Sequence, residues 1–179
     1  MNSNQLSLAL GSHKDTRTFF KGVFAADRLP RKCYPPSALI VNTDPARKQG
    51  THWVGIFIDE NRRGDFFDSY GLPPYIKEHI TFLDRECSSW RYNRKKIQGW
   101  TSATCGSYSS VFLAYRCKGF SMNHFLKHFN AENNKKNDEV IIKLYNELFG
   151  KYCKKCTINR SLLSVQIGRA AYTLPKTQQ

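Results

Sequence analysis

The segment Q-G-W-T-S-A-T-C-G-S-Y-S-S-V-F-L-A-Y-R-C, residues 98–117, decides the fold of this chain. Ser102 and Thr104 are residue types that accept the free backbone N–H groups at the start of a helix. The apolar run after them predicts a buried helix, and Gly119 is a residue type at which helices end. Cys105 therefore stands at the positive end of a buried helix, where the N–H groups and the helix dipole stabilise a thiolate.

Cys105 has two interpretations. Taken alone, a cysteine in an apolar helix packs as a small hydrophobic residue. Three other residues favour a nucleophile instead: Gln98 lies seven residues upstream, His52 opens an apolar strand, and Asp68 closes the next strand. A nucleophile, a base, an acid that orients the base and an amide donor are the components of a cysteine hydrolase.

Hydrophobic patterning along the rest of the chain predicts an α+β fold. Short runs rich in β-branched and aromatic residues predict strands at 37–42, 53–58, 65–68 and 88–97. Apolar residues at helical spacing predict helices at 75–86, 121–129 and 138–149, a short helix within 1–29 and another at 157–168, with a polar linker at 130–137. This order indicates helices packed on a mostly antiparallel central sheet.

The length and composition fit one compact domain. The chain has 179 residues, of which 40% are hydrophobic, which is enough for a sizeable core. No apolar run reaches membrane-spanning length, and the first residues lack the basic and apolar regions of a signal peptide. We therefore expect a single domain over residues 1–179, monomeric and without membrane contact, in a reducing compartment that leaves the six cysteines unpaired.

The chain is strongly basic. Lys and Arg number 28 against 14 Asp and Glu, which gives a formal net charge of +14. Residues 85–96 carry five basic residues and one acid, and residues 151–179 carry six basic residues and no acid. Trp90 and Tyr92 interleave the first cluster, where their rings could stack on bases or pack in the core. This charge predicts sequence-independent, salt-sensitive binding to DNA, with a merely soluble basic surface as the alternative.

The order of four residues, His52, Asp68, Gln98 and Cys105, resembles that of the catalytic residues in the adenovirus protease family. That family of cysteine proteases is related to the ubiquitin-like-protein proteases. T-H-W-V-G-I-F-I-D, residues 51–59, is similar to the strand that follows the family's catalytic histidine. D-F-F-D-S-Y-G, residues 65–71, matches the segment of its acid, where the adenovirus enzyme has Glu and this chain has Asp68. I-Q-G-W-T-S-A-T-C-G, residues 97–106, matches the nucleophile segment, with the same seven-residue step from Gln to Cys.

The resemblance implies a role for each of the four residues. Cys105 attacks the scissile carbonyl as a thiolate, His52 takes and returns the proton, and Asp68 orients the imidazole. The Gln98 side-chain amide and the backbone N–H near the cysteine donate to the oxyanion. Two other aspartates on the same predicted hairpin are alternatives for the acid. The chemistry itself requires no cofactor.

The same resemblance suggests that Cys87 binds an activating partner. The adenovirus enzyme has a cysteine at the corresponding step that forms a disulfide with a short peptide from a virion protein, and DNA is its second cofactor. Cys87 lies eighteen residues before Cys105. A packed or solvent-facing thiol is the alternative interpretation.

The predicted function is a cysteine endopeptidase that cleaves viral or virus-like structural precursors during particle maturation, stimulated by DNA, in the host nucleus and the virion. Two alternatives stay open. One is a deubiquitinase-like or deSUMOylase-like isopeptidase of the same chemistry, which cleaves a folded modifier after Gly-Gly. The other is a non-enzymatic basic DNA-binding module, which would leave the four matching residues as coincidence.

No metal is expected in the site. Cys153 and Cys156 form a single C-x-x-C pair, whereas a structural zinc usually has four ligands. The residues available to complete a zinc site are Cys33, Cys117, His124 and His128. We favour an inert or redox-active cysteine pair.

Overall fold

The computed structural model describes residues 1–152. Within this range the chain forms a five-stranded sheet, with the strands in chain order, and five α-helices. The strands are β1 Phe20–Phe24, β2 Ser37–Asn42, β3 Trp53–Ile58, β4 Arg63–Phe67 and β5 Ser89–Tyr92. The helices are α1 Ser3–Ser12, α2 Lys77–Glu86, α3 Cys105–Cys117, α4 Met122–Leu126 and α5 Asn134–Phe149. The α+β class is confirmed.

The sheet is mixed rather than mostly antiparallel. Its three central strands, β2, β3 and β4, are antiparallel neighbours, as predicted. Both edge strands, β1 and β5, pair in parallel with the strands beside them. Parallel neighbours need a crossover connection, and helix α2 supplies it between β4 and β5. A short 3₁₀ turn at Ala26–Arg28 lies in the corresponding crossover between β1 and β2.

Helices cover both faces of the sheet. On one face, the Phe112 ring of α3 stacks on Phe67 of β4 with the ring centroids 4.6 Å apart. On the other face, Phe82 of α2 belongs to a second apolar cluster with Ile56 and Phe66. Every residue of α3 from its first to Tyr115 is buried, so the predicted buried helix is confirmed.

Several elements depart from the sequence prediction, among them β5, which ends at Tyr92 although the strand was predicted to reach residue 97. The apolar residues after residue 18 were predicted as part of a helical region, but they form strand β1. Phe20 begins the strand and pairs with Ala38 of β2. Helix α5 begins at Asn134, inside the predicted polar linker, because the Asn133 side chain accepts the N–H of Lys136 and caps the helix. The predicted helix at 157–168 lies outside the described residues.

No helix within residues 1–152 combines the length and apolar character needed to cross a membrane. That one domain extends over all 179 residues stays a prediction.

The contact between α3 and β3 leads to a stability prediction. A Cβ added at Gly55 would lie 3.0 Å from Cδ1 of Phe112, so Gly55→Ala forces the ring or the helix to move. We expect the free energy of unfolding to fall by roughly 1–3 kcal/mol, as overpacked cores do. Urea denaturation measures the change.

Gly11→Ala is the matched control. Gly11 lies in α1 and has no atom within 4 Å of an added Cβ. The same substitution there should raise the free energy of unfolding by about 0.5–1 kcal/mol, because alanine favours the helix. Equal stability of the two variants would contradict the tight contact described for Gly55.

Candidate active site

The β3–β4 hairpin brings His52 and Asp68 together at one end of the sheet. The last paired residues are Gly55 and Phe67, so Asp68 comes one step further, opposite Val54. A simple tight hairpin would have placed it near Ile56 instead, and the connection between the strands shifts the pairing by two residues. His52 Nε2 lies 2.9 Å from Asp68 Oδ1, and both side chains are buried.

Asp68 is fixed by the chain around it. Its backbone N–H donates to Asn93 Oδ1 at 2.8 Å, and Asn93 Nδ2 donates back to its carbonyl at 2.6 Å. The backbone N–H of Tyr70 donates to Asp68 Oδ1 at 2.8 Å. The Asn93 side chain therefore fixes the backbone of Asp68, and the Tyr70 N–H orients its carboxylate toward His52.

The two other aspartates of the hairpin have different partners. Asp59 Oδ2 lies 2.8 Å from Arg63 Nε on the surface. Asp65 is buried between Arg91 Nε at 2.6 Å and Arg116 Nε at 2.8 Å. Among these carboxylates, Asp68 is the one that contacts His52.

Cys105 is the first residue of α3, and it is 8% exposed. Burial would raise the pKa of the thiol. Hydrogen bonds from His52 and from the backbone N–H groups of Trp53 and Gly106, together with the charge of His52, outweigh burial and lower the pKa. Ser109 Oγ donates to the carbonyl of Trp53 at 3.1 Å and ties the helix to the strand.

His52 carries the complementary charge. Burial alone would lower the pKa of the imidazole, but hydrogen bonds to Asp68 and Cys105 and the negative charges of both outweigh it and raise the pKa to about 9. The two shifts together favour the imidazolium–thiolate form of the pair over the neutral form. Since Nε2 faces Asp68, the other ring nitrogen is left for Cys105.

Gln98 is fully buried and lies seven residues before Cys105 in the sequence. Its Nε2 donates to the carbonyl of Ser102 at 2.7 Å, and its Oε1 accepts from Ser69 Oγ at 2.5 Å. The amide is therefore held from both sides by residues next to the acid and the nucleophile segments.

Sequence reasoning missed two aromatic residues and one amide at the site. Tyr70 stacks on the His52 ring with the centroids 4.7 Å apart, and on its other side it stacks on Trp100 at 4.9 Å. The third residue is Asn93, whose side chain holds Asp68. Tyr70 was visible only as the end of a strand, and Asn93 sits inside a stretch predicted as continuous strand, so neither gave a signal.

Cys87 lies in the apolar core at 9% exposure. Its Sγ would be 2.6 Å from a Cβ at Gly64, so it packs directly on β4. Burial raises the pKa of this thiol to about 11. These surroundings fit the packed-thiol alternative better than a disulfide with an activating peptide.

In the described part of the chain, no group of three or more His, Cys, Asp or Glu side chains could hold a metal ion. His124 and His128 lie near each other, with ring centroids 5.9 Å apart, and His124 stacks on Phe120. The Cys153 and Cys156 pair lies outside residues 1–152, so its role is open.

Sequence comparison finds curated relatives in African swine fever virus. The protein named SUMO-1 cysteine protease in one isolate is 28% identical over 106 residues, which is 49% of this chain and 36% of the viral protein. A second isolate's cysteine protease matches to the same extent. The chain resembles a viral cysteine protease. The match spans about a third of the length of these curated relatives, and no protein-family model matches the chain.

Structural comparison agrees on the fold. A crystal structure of the African swine fever virus protease matches with a TM-score of 0.53 at 18% identity, over 81% of this chain and 69% of that one. The central domain of an uncharacterized Legionella pneumophila protein matches with a TM-score of 0.51 at 14% identity, over 87% of this chain and 98% of that domain. These two matches show the fold, and the sequence similarity to the viral cysteine proteases confirms the predicted resemblance.

The pKa values lead to a prediction for thiol reactivity. Because the pKa of Cys105 is lowered while those of Cys33 and Cys87 are raised to about 11 and that of Cys117 to about 12, iodoacetamide at pH 6 should alkylate Cys105 at least about tenfold faster than these three. Peptide mass spectrometry reads each site.

Asp68→Asn tests the cause of that reactivity. Removing the carboxylate charge lowers the pKa of His52 and thereby weakens the Cys105 thiolate. The pH at which the alkylation rate of Cys105 begins to rise should therefore increase. His52→Ala should slow labelling at pH 6 further. Slow, uniform labelling of all four cysteines in the unsubstituted chain would contradict the charge pair.

Proposed function

We propose that the chain is a cysteine endopeptidase with Cys105 as nucleophile, His52 as acid and base, and Asp68 as the residue that orients the imidazole. The observation that carries this proposal is the buried contact of His52 with both Asp68 and Cys105. The sequence similarity to proteins named cysteine protease supports it independently.

The geometry supports an acyl-enzyme route. The Cys105 thiolate attacks the scissile carbonyl carbon, a C–S bond forms, and the C=O π electrons move to the oxygen. The His52 imidazolium then gives its proton to the leaving amine as the C–N bond breaks. Neutral His52 then takes a proton from water, the hydroxide attacks the thioester carbon, and the C–S bond breaks to release the carboxylic acid and restore the Cys105 thiolate beside the imidazolium. Asp68 keeps the imidazole oriented and its charge stabilised throughout.

Gln98 and the first N–H groups of α3 are the proposed oxyanion donors. The backbone N–H of Gly106 already faces Cys105, and it is one of the causes of the lowered pKa of that thiol. A buried amide held by hydrogen bonds on two sides suits a preorganised donor. One such donor contributes roughly 3–4 kcal/mol to lowering the barrier.

The proposed substrates are structural precursor proteins of a virus or virus-like particle, cleaved in the host nucleus and the virion during maturation. The viral source of the curated relatives supports this choice. An isopeptidase that removes SUMO or a similar modifier is an equally compatible candidate, because one relative carries the name SUMO-1 cysteine protease.

DNA is the proposed stimulating partner. Within the basic cluster at residues 85–96, Arg91 is bound to Asp65, and Lys95 Nζ donates to the carbonyls of Leu126 and Phe129. Arg85 is paired with Glu86. The remaining two cations lie beside aromatic rings near the end of the cluster: Arg94 lies over Tyr92, and Lys96 lies 3.9 Å from the ring centroid of Trp100. Trp100 also stacks on Tyr70, so this basic edge reaches the candidate active site.

Substitution of the nucleophile tests the enzymatic proposal. Cys105→Ala should abolish cleavage of a fluorogenic peptide ending in Gly-Gly, with an unchanged circular dichroism spectrum, because no other thiol contacts His52 among the described residues. Gln98→Ala should lower kcat by about 10²–10³-fold through the lost oxyanion donor. Undiminished cleavage by Cys105→Ala would refute the proposal.

A pair of substrates separates the two candidates. An extended unfolded polypeptide and a folded SUMO precursor are offered at equal concentration, and kcat/KM is measured for each. A preference for the unfolded chain supports the maturation protease, whereas a preference for the folded modifier supports the isopeptidase.

Salt dependence tests the DNA proposal. Fluorescence polarisation with a short duplex should show affinity that falls steeply with salt and does not depend on base sequence. Arg94→Ala should reduce the slope of log K against log salt by about one. Arg17→Ala, at an exposed cation outside the cluster, is the control. Equal slopes for both variants would place DNA elsewhere on the chain.

A further inference from the structure

The start of α5 holds both ends of the segment 98–104. Asn137 Nδ2 donates to the carbonyl of Ile97 at 3.1 Å. Thr104 Oγ1 donates to Asp138 Oδ1 at 2.9 Å. Ile97 directly precedes the candidate oxyanion amide, and Thr104 directly precedes the candidate nucleophile. Two adjacent side chains of a helix remote in sequence therefore fix the segment at both ends.

A hydrogen-bond relay links Asp138 to Gln98. The hydroxyl of Thr104 has one proton and donates it to Asp138 Oδ1. Ser102 Oγ lies 2.6 Å from Thr104 Oγ1 and must then be the donor of that pair. The carbonyl of Ser102 in turn accepts Gln98 Nε2 at 2.7 Å. The side chain of Ser102 is thus held against Thr104, and the backbone carbonyl of the same residue holds the Gln98 amide.

The relay determines which way the Gln98 amide faces. The carbonyl of Ser102 can only accept, so it selects the NH₂ end, and the hydroxyl of Ser69 donates to Oε1 on the opposite side. The second N–H of Gln98 has only a 3.4 Å contact with Tyr70 OH, which is too long for a strong hydrogen bond. That N–H is therefore the Gln98 donor available for a substrate oxyanion in the proposed mechanism.

Tyr108 strengthens the same arrangement. Its hydroxyl lies 3.1 Å from Asp138 Oδ1 and 2.9 Å from the carbonyl of Ile97. Burial and the Asp138 carboxylate both raise the pKa of this phenol, which keeps it a neutral donor. The phenol has one proton for these two acceptors, so it links Asp138 to the carbonyl of Ile97, the residue next to Gln98.

We propose that Asp138 is a positioning residue that aims the Gln98 amide at the oxyanion through Thr104 and Ser102. This role rests on the proposed cysteine-protease chemistry of Cys105. Asp138 acts through the segment 98–104 rather than on the reacting atoms. Its loss should therefore affect the oxyanion step and leave the charge pair of Cys105 intact.

Asp138→Ala should lower kcat and leave the alkylation rate of Cys105 unchanged. Without the Asp138 acceptor, Thr104 no longer fixes Ser102, and the Gln98 amide becomes mobile. We therefore expect kcat to fall by about 10–100-fold, with KM changed by no more than about twofold. Alkylation of Cys105 at pH 6 forms no oxyanion and should keep its rate. A general loss of structure would lower both.

Glu139→Ala is the matched control. Glu139 is the next residue of α5, it carries the same charge, and it is exposed. It should keep both readouts. Asp138→Asn retains an acceptor oxygen toward Thr104 and should recover most of the kcat that Asp138→Ala loses.

Thr104→Val completes a double-mutant cycle. It removes the hydroxyl and keeps the shape of the side chain, so it should lower kcat by a factor similar to that of Asp138→Ala. If both act through one relay, the double variant should lose no more kcat than the larger single loss. Multiplicative losses would overturn the relay.

Hydrogen exchange of the Gln98 side-chain amide tests the position without any substrate. In ¹⁵N NMR spectra, the Nε2 hydrogens should exchange slowly in the unsubstituted chain and in Glu139→Ala, and about tenfold faster in Asp138→Ala and Thr104→Val. Unchanged exchange in Asp138→Ala overturns the proposal, whatever the turnover shows. Faster exchange in a chain that cleaves no peptide would uphold the positioning role and refute the proposed function instead.

Discussion

The close packing of helix α3 on strand β3 is the constraint on which the site depends. Gly55 lies beneath the Phe112 ring, and Ser109 Oγ is hydrogen-bonded to the carbonyl of Trp53. Because Gly55 has no side chain, the helix approaches the strand closely enough for its first residue to reach the residue just ahead of the strand. Cys105 and His52 therefore meet through the packing of two regular elements rather than through a mobile loop.

Burial alone would neutralise both members of this pair, since a thiolate and an imidazolium are each unfavourable in an apolar environment. The site supplies three compensating contacts: the carboxylate of Asp68, the backbone N–H of Trp53 and the N–H groups at the start of α3. The charges thus stabilise each other. Removal of the Asp68 carboxylate should therefore weaken the Cys105 thiolate through its effect on His52. Tyr70, stacked on the imidazole, limits the ring to one orientation.

The sequence predicted those parts of the structure that local patterns specify. The bounds of β2 and β3 match the predicted strands. Residue type and order also selected His52, Asp68 and Cys105 as site candidates, and the structure brings these three side chains together. The edge strands were less predictable, because β1 is an edge strand only through its parallel pairing with β2, a contact between distant residues. For the same reason the roles of Asn93 and Asp138 could not be read from sequence: each acts on a residue that lies at least 25 positions away. In the sequence alone, such residues cannot be distinguished from polar residues on the solvent-exposed surface.

The most direct test of the charge pair is an NMR titration of the His52 ring, read from its ¹³Cε1 shift in the unsubstituted chain and in Cys105→Ser. We expect His52 to be protonated at pH 7 and to lose its proton with a pKa of about 9. In Cys105→Ser the pKa should fall, because the neutral hydroxyl replaces a thiolate that stabilises the imidazolium. A His52 pKa at or below its ordinary value near 6.5 in both proteins would contradict the account.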